Sequence, residues 1–318
     1  MQMRSRMSMT RIRLRLRAVA VALLVAVPIL TVPTASSAPH PGGSSPRGGD
    51  DLDELVEVVQ PLVDDARADG VRVSVGLADI SQPRGASEIV GSGQTYNPAS
   101  VIKLALLATL MRQVDRGVLS LDAPVTVSPY MVVGGSGTVQ DEDMPFTTTV
   151  GELARRMVVV SDNTATNVLF YLVGIPTVQE LLDDLGLETM AFNRQMFPGE
   201  LIDGENVIDT ADTVELLRQM YGPRLLSRES RQQVLTWMSQ QEVDTKFGAV
   251  LDDAPVAHKT GEDANVTHDV GYFSVPGRET VVAVFTEVTT TDNYDEAQRI
   301  GNPIVQEIGR NVYDTLER

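Results

Sequence analysis

The chain contains only three lysines among its 318 residues, and two of them stand in short motifs that also carry hydroxyl groups. Ser100 and Lys103 open a long apolar stretch three residues apart, so on a helix the amine can reach the hydroxyl. A serine attacks only when a base removes its proton, and a lysine is such a base only if its pKa falls from about 10.4. The pattern indicates a nucleophilic Ser100, although an N-capping serine and a surface lysine would give the same four residues.

Two further motifs carry groups suited to acyl transfer. Ser161–Asn163 (Ser-Asp-Asn) places a hydroxyl beside a carboxamide, which can relay a proton to a leaving nitrogen and bind a substrate amide. Lys259–Gly261 (Lys-Thr-Gly) ends a predicted strand with a positive charge, an anion-binding hydroxyl and a glycine that lets a ligand approach the backbone. Taken singly, each motif is also typical of a helix cap or of the end of an edge strand.

Strands near both ends of the chain must position these motifs. Periodicity predicts strands over 71–80, 86–90, 255–260, 268–275 and 279–288, and helices over 51–68, 100–113 and 295–316. The middle of the chain is predicted to be mostly helical. We expect an α+β fold: an antiparallel five-stranded sheet flanked by terminal helices, with an inserted all-helical part. The sheet part takes about 51–118 and 224–318, and the helical part about 119–223.

The first 38 residues are typical of a secretory signal peptide. Six arginines precede an apolar stretch from Ala18 to Val32, and small residues follow at 34–38. The stretch is interrupted by Pro28 and is shorter than the roughly 20 residues that span a bilayer. We predict cleavage within 35–38, a secreted protein without a stable membrane anchor, a flexible linker over 39–50 and a catalytic domain over 51–318.

Composition disfavours several functional classes. Lys and Arg total 26 against 43 Asp and Glu, a net charge of −17, and such an acidic surface repels nucleic acid. The chain has no cysteine, which removes disulfides and thiolate chemistry. No G-x-S-x-G surrounds Ser100 and no H-x-x-x-H spacing occurs, which disfavours a Ser-His-Asp hydrolase and a metalloenzyme. We expect neither a cofactor nor a metal.

Taken together and in this order, the three motifs resemble those of the class A β-lactamases and penicillin-recognising serine hydrolases, which carry S-x-x-K, S-D-N and K-T-G. The resemblance covers about residues 51–318. Supporting matches are Tyr96–Ala99 before the serine, Gly134–Gly137, and the run from Ser161 to Asn167. It implies a serine enzyme that opens a β-lactam amide through an acyl-enzyme.

The resemblance also implies catalytic roles for the matching residues. Ser100 would be the acylated nucleophile, and Lys103 its base or proton relay. Ser161 would pass a proton to the departing nitrogen. The backbone N–H groups of Ser100 and Glu262 would form the oxyanion hole.

Other matching residues would bind the substrate or support the site. Asn163 would bind the acyl-side amide, while Lys259, Thr260 and the adjoining Gly261 would face the substrate carboxylate. Asn167 matches an asparagine that steadies the nearby loop.

The loop after the second motif departs from the family pattern. Class A enzymes carry a glutamate there, which positions the water that hydrolyses the acyl-enzyme. Alternative alignments place Met196, Phe197 or Pro198 at this position, and none of these side chains can deprotonate water. Glu200 is our candidate for a replacement base and Glu205 a second one, although exposed loop carboxylates would look the same. The departure favours slow deacylation or a DD-peptidase.

Two acidic residues follow the third motif, where the family tends to have small or hydroxylated residues. Glu262 and Asp263 would repel a substrate carboxylate unless they point away. His268 matches a position where the family often has an arginine that binds this carboxylate, and would help mainly when protonated, below about pH 6.5. A buried strand histidine with satisfied hydrogen bonds is the alternative.

These observations predict an active-site serine acyl hydrolase of the class A β-lactamase family, acylated on Ser100. A D-alanyl-D-alanine carboxypeptidase (DD-peptidase) and a serine esterase remain open, as does a non-enzymatic sensor of β-lactams or peptidoglycan that is acylated once. The expected partner is a small β-lactam or a cell-wall peptide, and not nucleic acid. We expect a secreted monomer.

Overall fold

Strands from the two ends of the chain pair into one antiparallel sheet. The computed structural model describes residues 48–196, 204–251 and 254–318, so the predicted signal peptide and Glu200 lie outside the described residues. The order of the strands in the sheet is β2–β1–β7–β6–β5. In chain order the main elements are α1 (Gly48–Ala68), β1 (Val71–Asp79), β2 (Ser87–Gly91), α2 (Lys103–Asp115), β3 (Pro124–Val127), β4 (Phe146–Thr149), α3 (Val150–Val159), α4 (Asn163–Val173), α5 (Ile175–Asp184), α6 (Thr210–Tyr221), α7 (Arg228–Met238), α8 (Phe247–Val250), β5 (Val256–Asp263), β6 (Val266–Phe273), β7 (Thr280–Val288) and α9 (Tyr294–Leu316).

The central strand β7 separates two apolar cores. Val281 and Ala283 belong to one cluster of buried side chains, whereas Val282 and Val284 belong to the other. Successive side chains of a strand point to opposite faces, so both faces of the sheet are covered. This explains why β7 is apolar at nearly every position.

The terminal helices cover one face of the sheet. Leu55, Val59 and Val63 recur along α1 at helical spacing and pack in the same cluster as Ile308 and Val312 of α9. The predicted five-stranded sheet with flanking terminal helices is therefore confirmed. Helix α1 begins at Gly48, three residues earlier than predicted and inside the segment expected to be a linker.

The inserted part is built around α2. Every residue of this helix from Lys103 to Met111 is buried. A helix that is apolar on all sides belongs inside a core, and α2 contacts α4, α5 and α7. The core that surrounds Lys103 is thus the main core of the helical part.

The inserted part is not entirely helical, which corrects the prediction. Strands β3 and β4 form a two-stranded antiparallel sheet in which the Thr126 and Thr147 hydroxyls lie 3.0 Å apart. Their Val and Thr residues favour strands, but runs of four residues are too short for a clear alternation. Helix α7, inside 224–318, was also missed because its sequence is mostly polar.

Among the described residues, no single helix is long and apolar enough to cross a membrane. The helices α4 and α5 would pass this test as a pair, but they are bent by 79° at their junction.

The edge strand β5 lies against the turn that carries Ser100. This turn is a short 3₁₀ helix, Ala99–Ile102, which directly precedes α2. Gly261 makes the approach close: a Cβ atom there would lie 2.9 Å from Val101 Cγ2 and 3.1 Å from both Pro98 O and Val101 N. The glycine therefore allows the strand and the turn to be packed together.

We expect Gly261→Ala to reduce the acylation rate of Ser100 by about tenfold or more, because small displacements of reacting groups are costly. The added methyl group forces β5 and the turn apart by a few tenths of an ångström. Rapid-mixing assays would give the acylation rate, and thermal unfolding the change in stability. Gly93→Ala is the matched control, since its added methyl group meets no atom within 4 Å. Equal acylation rates in both variants would contradict the expectation.

Candidate active site

The turn with Ser100 forms one wall of a cavity of about 450 Å³, which β5 and the helical part also line. Ser100 is partly exposed to this cavity. Ala99 just before it has a φ of 46°, a left-handed conformation that is costly for a residue with a side chain. The Asn97 carboxamide oxygen accepts a hydrogen bond from the Ala99 N–H at 3.0 Å and helps to hold this turn. The backbone thus presents the hydroxyl of Ser100 at the cavity.

Lys103 is buried at the start of α2, with 1% of its surface exposed. Its Nζ donates to the backbone oxygen of Ser161 at 2.6 Å, to Ser161 Oγ at 3.2 Å and to Asn163 Oδ1 at 2.8 Å. Burial and the positive charge of Lys259 lower the pKa of Lys103 well below its usual range, and Asp162 opposes them. The amine is therefore suited to accept a proton near neutral pH.

Lys259 reaches the same serine from the edge strand β5. Its Nζ donates to Ser161 Oγ at 3.0 Å and to the backbone oxygen of Thr260 at 2.8 Å. Burial lowers the pKa of Lys259 from 10.5 to about 7, although the charge of Asp269 opposes the shift. The two lysines thus converge on one hydroxyl, that of Ser161.

Ser161 is fixed by the loop that leads into α4. Its φ of 55° is again left-handed. Next to it, the buried Asp162 accepts hydrogen bonds from the N–H groups of Ala165 at 2.8 Å and of Thr138 and Val139 at 2.7 Å. One carboxylate therefore caps α4 and ties it to the segment that follows Gly137, which holds Ser161 in place.

Asn163 and Thr260 line the cavity together with Ser161. The Asn163 carboxamide accepts from Lys103 and donates to the backbone oxygen of Gly134 at 3.2 Å. A carboxamide has two N–H donors, so one remains for a ligand. The sequence predicted that Gly261 would let a ligand approach the backbone. In the structure, the group that lies close to Gly261 is the turn that carries Ser100.

The two acidic residues after Gly261 both line the cavity, and both are bound. Glu262 forms an ion pair with Lys246 and accepts a hydrogen bond from the Tyr294 hydroxyl at 2.8 Å. Asp263 accepts from the Asn97 carboxamide at 3.0 Å. Both carboxylates are thus held by partners within the protein.

His268 does not take the substrate-binding place expected for it, and this corrects the prediction. Its side chain is fully buried and is not among the residues that line the cavity. Nδ1 accepts from the Thr286 N–H at 3.2 Å, so Nε2 carries the proton and donates to the Asn97 backbone oxygen at 2.8 Å. Burial lowers the pKa of His268 to about 4, so the ring is neutral at physiological pH.

The loop that follows the second motif reaches the cavity at Met196. The Asn167 carboxamide donates to the Met196 backbone oxygen at 3.0 Å and accepts from its N–H at 2.8 Å. Glu205 also lines the cavity and forms an ion pair with Arg194 at 2.6 Å. The other two residues aligned with the family glutamate, Phe197 and Pro198, lie outside the described residues, as Glu200 does.

Sequence reasoning missed the group around Glu262. Thr245, Lys246 and Tyr294 are distant in sequence from the third motif, and no motif marks them. The one available signal was the scarcity of lysine, because all three lysines of the chain serve this site. The described residues contain no group of three or more His, Asp or Glu side chains placed to bind a metal ion.

A partly exposed serine, two buried lysines and a bridging second serine beside an antiparallel sheet are the groups that a serine hydrolase would use. Residues 54–316 match the family model of the β-lactamase enzyme family. The chain belongs to this family. The predicted family, the fold class and the expectation of a β-lactamase-like hydrolase are confirmed.

Known proteins of similar sequence and structure agree with this assignment. The extended-spectrum β-lactamase PER-1 of Pseudomonas aeruginosa is 25% identical over 262 residues, which is 77% of this chain and 83% of the relative. β-Lactamase AER-1 of Aeromonas hydrophila is 26% identical over 277 residues, 84% of this chain and 87% of the relative. The solved β-lactamase of Sphaerobacter thermophilus superposes with a TM-score of 0.74 at 25% identity and covers 82% of this chain and 98% of its own. PBP-A superposes with a TM-score of 0.72 at 27% identity and covers 84% and 97%.

We expect Lys259→Met to flatten the dependence of stability on pH. Between pH 7 and 10.5 the unfolded chain binds a proton on Lys259 that the folded protein does not, so the free energy of unfolding rises with pH there. The rise is about 1 kcal/mol per pH unit in the middle of this range and stops below pH 7. The substitution also removes the charge of Lys259, which lowers the pKa of Lys103. The pKa of Lys103 then lies closer to its value in the unfolded chain, and this flattens the pH dependence of stability further.

Urea unfolding of the wild type and the variant at pH 7.5 and 9 tests this expectation. The wild type should gain about 1–2 kcal/mol more than Lys259→Met over this interval. Lys259→Arg is the control, because arginine stays charged at both pH values. It separates the loss of the titration of Lys259 from the loss of its positive charge. Parallel pH profiles of wild type and Lys259→Met would show that the pKa of Lys259 is not lowered.

Proposed function

We propose that this protein opens β-lactam amides by transferring the acyl group to Ser100. The observation that carries the proposal is the Ser161 hydroxyl, 3.2 Å from Lys103 Nζ and 3.0 Å from Lys259 Nζ, in the cavity that Ser100 also lines. Membership of the β-lactamase enzyme family and similarity to named β-lactamases support the same reaction.

In acylation, Lys103 would act as the base and Ser161, bound by both lysines, as the proton donor. Ser100 Oγ attacks the carbonyl carbon, and the neutral amine of Lys103, one helical turn away, takes its proton. The departing nitrogen then receives a proton from Ser161 Oγ, which both amines contact and can reprotonate. The backbone N–H groups of Ser100 and Glu262 stabilise the oxyanion. Asn163 binds the acyl-side amide of the substrate through its remaining N–H, and Thr260 binds the opposite end of the substrate.

Deacylation would be the slow step. Met196 occupies the cavity wall, and its thioether is too weak an acceptor to deprotonate water. Loss of a general base slows the step it serves by about 10²–10⁴-fold. Glu200 stays our first candidate for a replacement base. Glu205 is the second, although its ion pair with Arg194 opposes this role.

A DD-peptidase is the second candidate function, and the apolar Met196 in the cavity wall favours it. PBP-A has a similar fold, and a solved structure of a PBP-A mutant is an acyl-enzyme complex with penicillin G. A serine esterase and a sensor acylated once would use the same Ser100 chemistry, and differ only in the acyl donor or in the fate of the acyl-enzyme.

We infer that the protein acts after export, because residues 1–38 are typical of a cleaved signal peptide. β-Lactams and cell-wall peptides are then the small molecules that it meets.

We expect a penicillin and a chromogenic cephalosporin to leave a lasting adduct on Ser100. Intact-mass spectra over time would show the acyl group, while absorbance follows ring opening. Acylation should outpace hydrolysis of the adduct by about 10²-fold or more, because no strong base stands at Met196. Ser100→Ala should give neither adduct nor ring opening.

The other outcomes separate the alternatives. Rapid turnover without a lasting adduct would show that deacylation has a working base, and Glu200→Gln and Glu205→Gln would locate it. If β-lactams leave Ser100 unmodified, they are not its acyl donors, and ester substrates become the leading hypothesis.

We expect Met196→Glu to accelerate hydrolysis of the adduct by about tenfold or more, since it supplies the missing base beside the cavity. The decay of the isolated acyl-enzyme would be followed by mass. Met196→Gln is the matched control, because it has the same shape as glutamate and no proton-accepting carboxylate. Equal decay in the two variants would show that Met196 does not occupy the position of the family glutamate.

A further inference from the structure

The wall of the cavity includes an acidic residue, Glu262, that is already bound within the protein. Glu262 accepts hydrogen bonds from the Thr245 hydroxyl at 2.9 Å, from the Lys246 amine and from the Tyr294 hydroxyl at 2.8 Å. Glu262 and Tyr294 both line the cavity. We call these four residues the Glu262 clamp.

Within the clamp, Glu262 balances the charge of Lys246. This side chain is completely buried, and besides Glu262 its amine contacts the Thr245 hydroxyl at 2.9 Å. Burial alone would raise the pKa of Glu262, but the charge of Lys246 and the three hydrogen bonds lower it overall. Glu262 is therefore ionised at neutral pH, and the ion pair is complete within the protein.

The charged groups around the clamp add little unpaired positive charge, and Arg194, which also lines the cavity, forms an ion pair with Glu205. Burial lowers the pKa of Lys259 to about 7, so much of its charge is lost at neutral pH, and its amine is bound to Ser161. Asp263, held by Asn97, adds a second carboxylate to the cavity wall. His268 is uncharged above about pH 4. An anion that approaches Glu262 therefore meets two carboxylates, those of Glu262 and Asp263, while the nearby amine of Lys246 is already paired with Glu262.

We infer that the Glu262 clamp makes the site select acyl donors that carry no free carboxylate beside the departing nitrogen. A substrate carboxylate would compete with Glu262 for its three donors and would be repelled by Glu262 and Asp263. An ester or amide at that position carries no charge and escapes this repulsion. The inference rests on the proposed function, because penicillins and peptides ending in a free D-alanine both present that carboxylate to the site.

A matched pair of substrates tests this selectivity. Benzylpenicillin and its methyl ester share the reacting ring and differ only in the charge of the carboxylate. The second-order rate constant for acylation of Ser100 would be measured for each by mass. Each value is divided by the rate of hydroxide-catalysed opening of the same compound, which removes intrinsic reactivity. We expect the ester to be preferred by at least about tenfold, given the cost of like charges at close range.

Two substitutions at one position remove the proposed cause. Glu262→Gln keeps the shape of the side chain and frees the charge of Lys246. Glu262→Ser opens the position to water and guards against a folding defect in the first variant. We expect either one to raise the ratio of the benzylpenicillin rate to the ester rate by at least about tenfold. Asp244→Asn, an exposed carboxylate two residues before Lys246, is the control for net charge and should leave the preference unchanged.

A second readout does not depend on turnover. Acetate is a bare carboxylate, and calorimetric titration would give its affinity for the wild type and for both Glu262 variants. We expect at least about tenfold tighter binding in the variants, because Lys246 is no longer paired.

The outcomes distinguish the inference from the proposed function. If wild type and variants acylate with acid and ester at the same normalised rates, or bind acetate equally, the inference is wrong while the proposed function stands. If neither penicillin modifies Ser100 in any variant, the proposed function fails, and acetate binding alone then decides whether Glu262 blocks a carboxylate site.

Discussion

The burial of two lysine amines around one hydroxyl is the constraint on which the rest of the site depends. Lys103 and Lys259 both contact Ser161 Oγ, and both have lost nearly all contact with solvent. Burying an ammonium group costs several kcal/mol unless it is paired or loses its proton. Here burial lowers both pKa values, which converts a cost of folding into a proton acceptor near neutral pH. The apolar core around α2 is therefore part of the chemistry and not only a support for it.

Carboxylates next to the lysines limit this cost. Asp269 accepts from the Phe247 N–H at 3.0 Å and lies 2.8 Å from His258 Nδ1, and its charge opposes the fall in the pKa of Lys259. Glu262 forms a direct ion pair with Lys246. Lys246 and Lys259 thus each have a compensating acid on β5 or β6, and Asp162 has this role for Lys103. Because Glu262 also lines the cavity, the carboxylate that balances the charge of Lys246 is also one that a substrate carboxylate would meet.

The loop beside the cavity is held by the same kind of contacts that a catalytic loop needs, although it offers no strong base at Met196. Asn167 pairs with both backbone groups of Met196, and Asn206 accepts from the N–H groups of Asn193 and Arg194. Two carboxamides therefore fix the backbone independently of the side chains that face the cavity. The contacts that hold the backbone at Met196 therefore do not depend on the side chain at this position.

The sequence by itself determined the sheet, the terminal helices and the three motifs. These depend on short spacings: the period of strands and helices, and the three residues from Ser100 to Lys103. Only the tertiary structure decided which charges are paired and which side chains are buried. Lys246 and Tyr294 reach Glu262 from 16 and 32 residues away. His268 lies in the core, which decides between the two roles that the sequence left open for it, a ligand-binding residue and a buried strand histidine. Burial and pairing depend on elements far apart in the chain, and these elements meet only when the sheet has closed against the helices.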